Sequence, residues 1–201
     1  MKILKKLIVI IIIIVGIYFA ISLLLPKTFF VERSIIIQAP VEKVFAEVND
    51  FSNMDHWSPW KDYDPDMKPT IEGNPGEPGY KYSWSSDHKN VGHGSLTRVH
   101  SVENKSIENE LFFEDFNMKS KVHFLLDETA DGVKVTWQNS GDIALPLRIP
   151  MAAMNMEKQM SPDLEKGLAR MKKYCEDQAA QEAALAAAAD SVTMQADTLM
   201  H

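Results

Sequence analysis

From Leu7 to Leu25 the chain runs without a charge and is dominated by Ile, Leu and Val. At roughly 1.5 Å per residue, about 19 residues give about 28 Å of helix, enough for the hydrocarbon core of a bilayer. Lys2, Lys5 and Lys6 precede the run, so the positive-inside rule predicts a cytoplasmic N-terminus and an extracytoplasmic remainder. Ala20 and Ser22 offer small residues for a signal-peptide cleavage site. The apolar run continues through Leu23, Leu24 and Leu25, which favours an uncleaved transmembrane anchor over residues 1–25.

Beyond a short linker (26–31), the pattern changes period several times. Val31 to Gln38, with β-branched and apolar Ile35-Ile36-Ile37, reads as a strand, broken by Ala39-Pro40. Val41, Val44, Phe45 and Val48 then recur at helical spacing, and a second short helix or turn is expected over Phe51 to Trp57. Four prolines interrupt Asp64 to Gly79, leaving room only for an edge strand near Lys68 to Ile71. Five strands follow, at Tyr80–Trp84, Val91–His100, Ser106–Phe113, Lys119–Leu126 and Val133–Gln138. Their polar connections are tight and contain no helix, the signature of an antiparallel meander. Pro146 and Pro150 exclude a long helix at the start of Ala144–Met160. A long helix is expected over Ser161 to Glu176, with Ser161 as N-cap and Pro162 in the first turn. Its apolar stripe is Leu164, Leu168, Met171 and Cys175, at i, i+4, i+7 and i+11. Residues 177–201 are alanine-rich, offer no face worth burying, and read as a frayed or disordered tail.

The order of elements is anchor, strand, two short helices, antiparallel sheet, long helix. A sheet that meets one long helix must bend around it, so the fold class is α+β: a helix-grip with a curved antiparallel sheet wrapped around the C-terminal helix, preceded by one transmembrane helix.

Charge and chemistry narrow the function classes. The first 25 residues hold three of the 21 basic residues and none of the 28 acidic ones, so the overall charge of −7 becomes −10 over the rest. That acidic balance excludes an electrostatic footprint for nucleic acid. A single cysteine, Cys175, excludes an intramolecular disulfide framework, and its place on the helix stripe marks it as a buried hydrophobe. His88, His93 and His100 lack metal-ligand spacing, and no metal or other cofactor is expected.

Several segments, in this order, resemble the START-like (SRPBCC) superfamily, in its polyketide cyclase/dehydrase-like branch. They are Ile36-Ile37-Gln38-Ala39-Pro40 with Val44-Phe45, Asp50-Phe51 to Trp57-Ser58-Pro59-Trp60, Gly79 to Trp84, Val91-Gly92-His93-Gly94, Val135-Thr136-Trp137, and Leu164 to Leu168 ahead of Met171-Lys172. The resemblance covers residues 32–176. It implies a hydrophobic cavity under the long helix that holds lipids, sterols, polyketides or hormones, and in some members performs cyclisation or dehydration. Fold alone does not choose among these.

Trp57, Trp60 and Trp137 are expected in the core and Trp84 at the pocket. The expected ligand-binding residues are Trp84, His93, Arg98, Phe112, Leu164, Leu168 and Met171, with no catalytic residue assigned. Regular alternation would put Arg98 and His100 on one sheet face, and Glu110 and Phe112 opposite Leu111 and Phe113. The expected function is a membrane-anchored domain binding a hydrophobic or amphipathic small molecule. Two alternatives are acid/base chemistry in the same cavity, drawing on His93, Arg98 or His123, and an interaction domain with a filled core.

Overall fold

A computed structural model describes residues 2–199, with side chains described as far as Ala189. Helix α1 (Lys2–Leu24) is long and apolar enough to cross a membrane, and nearly all of it is exposed, unlike a buried core helix. Only Leu25, Pro26 and Lys27 separate it from β1 (Thr28–Ile37), so the linker is half as long as the pattern predicted. The extra residues are recruited because Thr28 to Phe30 find backbone partners in Ser140 to Asp142.

After β1 come α2 (Val41–Asn49) and α3 (Met54–Trp57), then β2 (Thr70–Glu72), β3 (Lys81–Ser85), β4 (His93–Val102), β5 (Ser106–Phe113), β6 (Met118–Thr129) and β7 (Gly132–Asp142). All seven strands join one antiparallel sheet in the order β1-β7-β6-β5-β4-β3-β2, so β1 closes against the last strand of the meander. A short helix α4 (Arg148–Met154) precedes α5 (Met156–Leu199).

Helix α5 starts five residues before the expected Ser161 cap. Asn155 takes the left-handed conformation (φ 51°), and its Oδ1 accepts the Lys158 backbone N–H at 3.2 Å. This cap, with Glu157 in the first turn, sets the start, and Met160 and Ser161 are then helical. Pro162 therefore lies inside the helix, where it removes one backbone donor but leaves the turn unbroken. At the other end the alanine-rich run continues α5 to Leu199; its side chains from Gln181 to Ala189 are exposed. His201 lies outside the described residues.

The stripe Leu164, Leu168, Met171 and Cys175 is fully buried, and each large side chain there contributes roughly 2 kcal/mol. Helix α5 lies mainly along β1, with α3 beside it. Gly167 permits the close approach, since a Cβ there would stand 2.8 Å from the Trp137 ring. Trp57, Phe124 and Trp137 interlock under the helix with ring centroids 4.9 to 5.9 Å apart. Nearby, Glu47 of α2 meets His56 Nδ1 at 2.8 Å and the His56 ring stacks on Tyr174 of α5. Burial raises the Glu47 pKa, and the hydrogen bond with His56 works against that rise.

Candidate functional site

The register sorts the inner face of the sheet into rows that run across the strands. One row is Val31, Asn139, Val122, Asn109 and Arg98. Toward the end where β1 leaves α1, the next row includes Phe29, Gly141, Leu111, Leu96 and Tyr82. A last row holds Met118, Phe113, Gly94 and Trp84. In the opposite direction lie Trp137, Phe124 and Ile107, which complete the packed core under α5.

Arg98 is 1% exposed and still charged at neutral pH, although burial pulls its pKa down to about 10 against the opposing effect of Tyr80. Its Nε donates to Asn109 Oδ1 at 2.7 Å, and Nη2 donates to the Asn49 carbonyl at 3.1 Å. Its guanidinium lies 5.2 Å from the Phe51 ring centre. Asn49 ends α2, so the cation meets the negative end of that helix. Phe51 in turn stacks on Tyr80, whose hydroxyl donates to Asp50 at 2.7 Å. Burial and the Asp50 carboxylate push the Tyr80 phenol up to about 12. For Asp50, burial works upward, but hydrogen bonds from Tyr80 and Ser52 outweigh it and hold the carboxyl low. Arg98 is thus committed to tying the α2–α3 plug to the sheet.

His100 does not share its face. The register shifts between Arg98 and His100, and Val99 is the unpaired residue of a bulge. One extra residue reverses the alternation, so Arg98 stays opposite buried Asn109 while His100 pairs with Glu108 on the outer face.

The other expected site residues divide in two. Leu164, Leu168 and Met171 are buried in the core facing Trp137, and Trp84 is half-buried on the inner face, its Nε1 donating to the Val91 carbonyl at 3.3 Å. Phe112 stands on the outer face, beside Ser95 and Lys119 in the register. His93 is also outside the concavity. Its backbone N–H donates to Asp115 Oδ2 at 2.9 Å and its Nδ1 lies 3.1 Å from Asp115 Oδ1, which pins the β5–β6 turn to the start of β4. The backbone donor, followed by the ring, keeps the Asp115 carboxyl below its usual pKa. His123 pairs with Glu108 and Gln138 on the outer face. Neither histidine can act on a molecule held against the inner face.

Four buried side-chain atoms of α3, β7 and α5 have no protein partner, Trp57 Nε1, Trp137 Nε1, Asn139 Oδ1 and Ser161 Oγ; a fifth, Ser22 Oγ, lies in α1. Asn139 is 2% exposed and follows Trp137 by two residues on the same face of β7. Ser161 extends the buried stripe of α5 by one turn beyond Leu164. An unsatisfied buried group costs about 1–3 kcal/mol, so each marks a position where the fold accepts a cost. The sequence pattern hid them because Asn139 fell one residue past the expected strand and Ser161 read as a cap. An Asn continuing the alternation of Val133, Val135 and Trp137 was the available signal.

As at the opposite end around Ile35, Ala39, Phe45 and Tyr174, the core has a partly exposed margin toward the end of the sheet nearest α1. Trp60, Trp84, Leu111, Met118, Leu147, Met156 and Met160 are partly exposed at its margin. Tyr63 bridges across this end, with its ring stacked on His88 and its hydroxyl donating to Asp163 of α5 at 2.9 Å. That hydrogen bond, followed by burial, raises the Tyr63 pKa. The depressions along α1 and beside Gln38 and Glu176 are open surface features remote from this region. Among the described residues no cluster of His, Cys, Asp and Glu could hold a metal ion.

Comparison with known proteins places this geometry. A family model described as polyketide cyclase / dehydrase and lipid transport matches residues 28–176, and the chain belongs to that family. A protein of unknown function from Staphylococcus aureus, SA2116, shares the fold with a TM-score of 0.59 and 12% identity over 77% of this chain and 97% of its own. The Aha1 dimer from Colwellia psychrerythraea gives a TM-score of 0.51 at 16% identity, covering 74% and 96%. StfQ, a di-domain aromatase/cyclase of the steffimycin biosynthetic pathway, gives 0.55 at 12% identity, covering 77% of this chain and 52% of StfQ. No curated protein matches the chain.

Proposed function

We propose that this is a membrane-anchored binding domain for a largely apolar small molecule bearing one or two hydroxyl or carbonyl groups. The carrying observation is the set of unpartnered buried atoms Trp57 Nε1, Trp137 Nε1, Asn139 Oδ1 and Ser161 Oγ between the sheet and its helices. Indole N–H groups donate and the Asn oxygen accepts, so a hydroxyl serves both kinds. The loose margin provides the entry, because Met118, Met156 and Met160 are flexible side chains that re-pack at little cost. Trp84 lines the mouth and Leu164, one turn from Ser161, the wall. The family's description as including lipid transport supports an apolar cargo.

In this reading α1 stays attached as the anchor, with Lys2, Lys5 and Lys6 on the cytoplasmic side and the domain on the other. Contacts between α1 and the domain support retention: Ser22 is buried, and Arg148 Nη1 donates to the Ser22 carbonyl at 3.4 Å. The test is native mass spectrometry of the full chain taken gently from its membranes, compared with the same sample denatured. A stoichiometric small mass lost on denaturation is expected; a bare protein that takes up no hydroxylated lipid added back would contradict the reading.

A further inference from the structure

We propose that the Leu145–Met154 segment and the Phe116 turn form a second membrane contact, lying in the interfacial layer of the leaflet from which α1 emerges. The inference rests on the reading of α1 as a retained anchor and adds a surface to it. Tyr18 of α1 donates its hydroxyl to the Pro146 carbonyl, and Arg148 reaches Ser22. Six residues separate Tyr18 from Leu24, so at 1.5 Å per residue the Leu145–Leu147 turn is held about 9 Å back from the end of the apolar helix. A turn at that level is beside lipid whenever α1 spans.

Its composition suits that place. From Ile143 to Met156 there is one charge, Arg148, in a domain of net charge −10, and that guanidinium is already engaged by the Ile143 and Ser22 carbonyls. Met154 is 54% exposed. Phe116, 68% exposed, projects from the β5–β6 turn at the same end of the sheet, where Met118 and Phe113 share the end row with Trp84. The turn is fixed by the His93–Asp115 contacts and by Asn117 in the left-handed conformation (φ 46°), so the ring is presented rather than trailing. Glu114 and Asp115 precede it, so no cation of this turn draws it to anionic headgroups and the contact rests on the apolar ring. The occupant is a lipid surface because the Leu145–Met154 segment sits on the apolar helix through Pro146 and Arg148, and only three residues connect that helix to β1 at the same end of the sheet. The mouth beside Trp84 then opens at the level of the headgroups.

The test uses the full chain in phosphatidylcholine vesicles carrying nitroxide lipids at shallow or deep positions, with an environment-sensitive fluorophore on single added cysteines. Cys175 is buried and stays in place. Labels at Ile12→Cys, Met154→Cys, Phe116→Cys and Asp131→Cys report the span, the two proposed contacts and the opposite end of the sheet. Loss of fluorescence is expected from deep nitroxides at position 12 and from shallow ones at 154 and 116, with none at 131. If position 12 is quenched while 154 and 116 behave like 131, the second contact is wrong and the anchor stands. If position 12 is not quenched, the anchor reading has failed and this inference falls with it.

Discussion

The inner face of this sheet is two surfaces. Under the middle and C-terminal half of its packed stripe, α5 presses Leu164, Leu168, Met171 and Cys175 onto Trp57, Phe124, Trp137 and Val135, all nearly inaccessible. Toward α1 the sheet face carries Asn139 and α5 carries Ser161, with a margin of half-exposed methionines and aromatics. The first surface follows the ordinary rule that interiors are apolar and close-packed. The second breaks that rule at Asn139 and Ser161, and the border of the first breaks it at the two indole N–H groups of Trp57 and Trp137. Departures from an otherwise consistent interior are where function is expected, because a fold optimised only for stability would have removed them.

The comparison can be broken most severely at the packed end. Leu168→Ala should cost about 2–5 kcal/mol, since the Trp137 and Phe124 rings cannot collapse into the space. Met160→Ala, at the loose margin, should cost only about 1 kcal/mol. Equilibrium denaturation of both variants checks the contrast, and equal losses would show that the two ends are packed alike.

Arg98 sharpens the boundary between them. Arg98→Lys keeps the charge but loses the planar fork that reaches Asn109 and Asn49 from separate nitrogens. A loss of about 2 kcal/mol is expected, without a change in ligand occupancy, because Arg98 holds the plug and not the cargo. A variant that keeps full stability and loses ligand would reassign Arg98 to the site.

A last contrast is a pH dependence that comes from buried acids on both surfaces. Burial pushes the Cys175 thiol up to about 12 from 9.0, and the Tyr82 phenol up to about 12 from 10.0. Tyr80 behaves likewise, from 10.0 to about 12. Each is an acid that the folded state keeps protonated while the unfolded chain has released its proton. Stability from these groups is complete below about pH 9 and is lost as pH rises toward 12. Arg98, depressed to about 10 from 12.5, acts in the opposite direction above pH 10, and one group only partly offsets three. Thermal unfolding should fall between pH 9 and 11, less steeply in Tyr82→Phe; an unchanged slope in that variant would remove Tyr82 from the account.

Much of the packed end was legible in the sequence. The 3.6-residue period of Leu164, Leu168, Met171 and Cys175 and the alternation of the five strands each carry a periodicity that packing then uses. The loose end was less so. A bulge leaves no mark in propensity, so Val99 turned His100 outward where regular alternation had kept it with Arg98. Which face of β5 is concave depends on where α5 falls, so Phe112 was chosen on the side that turned out to be outer. Ser161 obeys the rule for a cap, but Asn155 caps the helix, and a hydroxyl expected at a helix end is buried inside it instead.

The most direct test of the central claim replaces Asn139 with leucine, a near-isosteric side chain that removes the unpartnered oxygen. Two readings are taken on the full chain: unfolding stability without ligand, and the bound mass seen by native mass spectrometry. The account predicts unchanged stability or a gain of about 1 kcal/mol, because an unpaired polar group has been removed, together with loss of the bound mass. A stability loss with the bound mass retained would contradict it, showing that Asn139 serves the fold and that the ligand rests elsewhere.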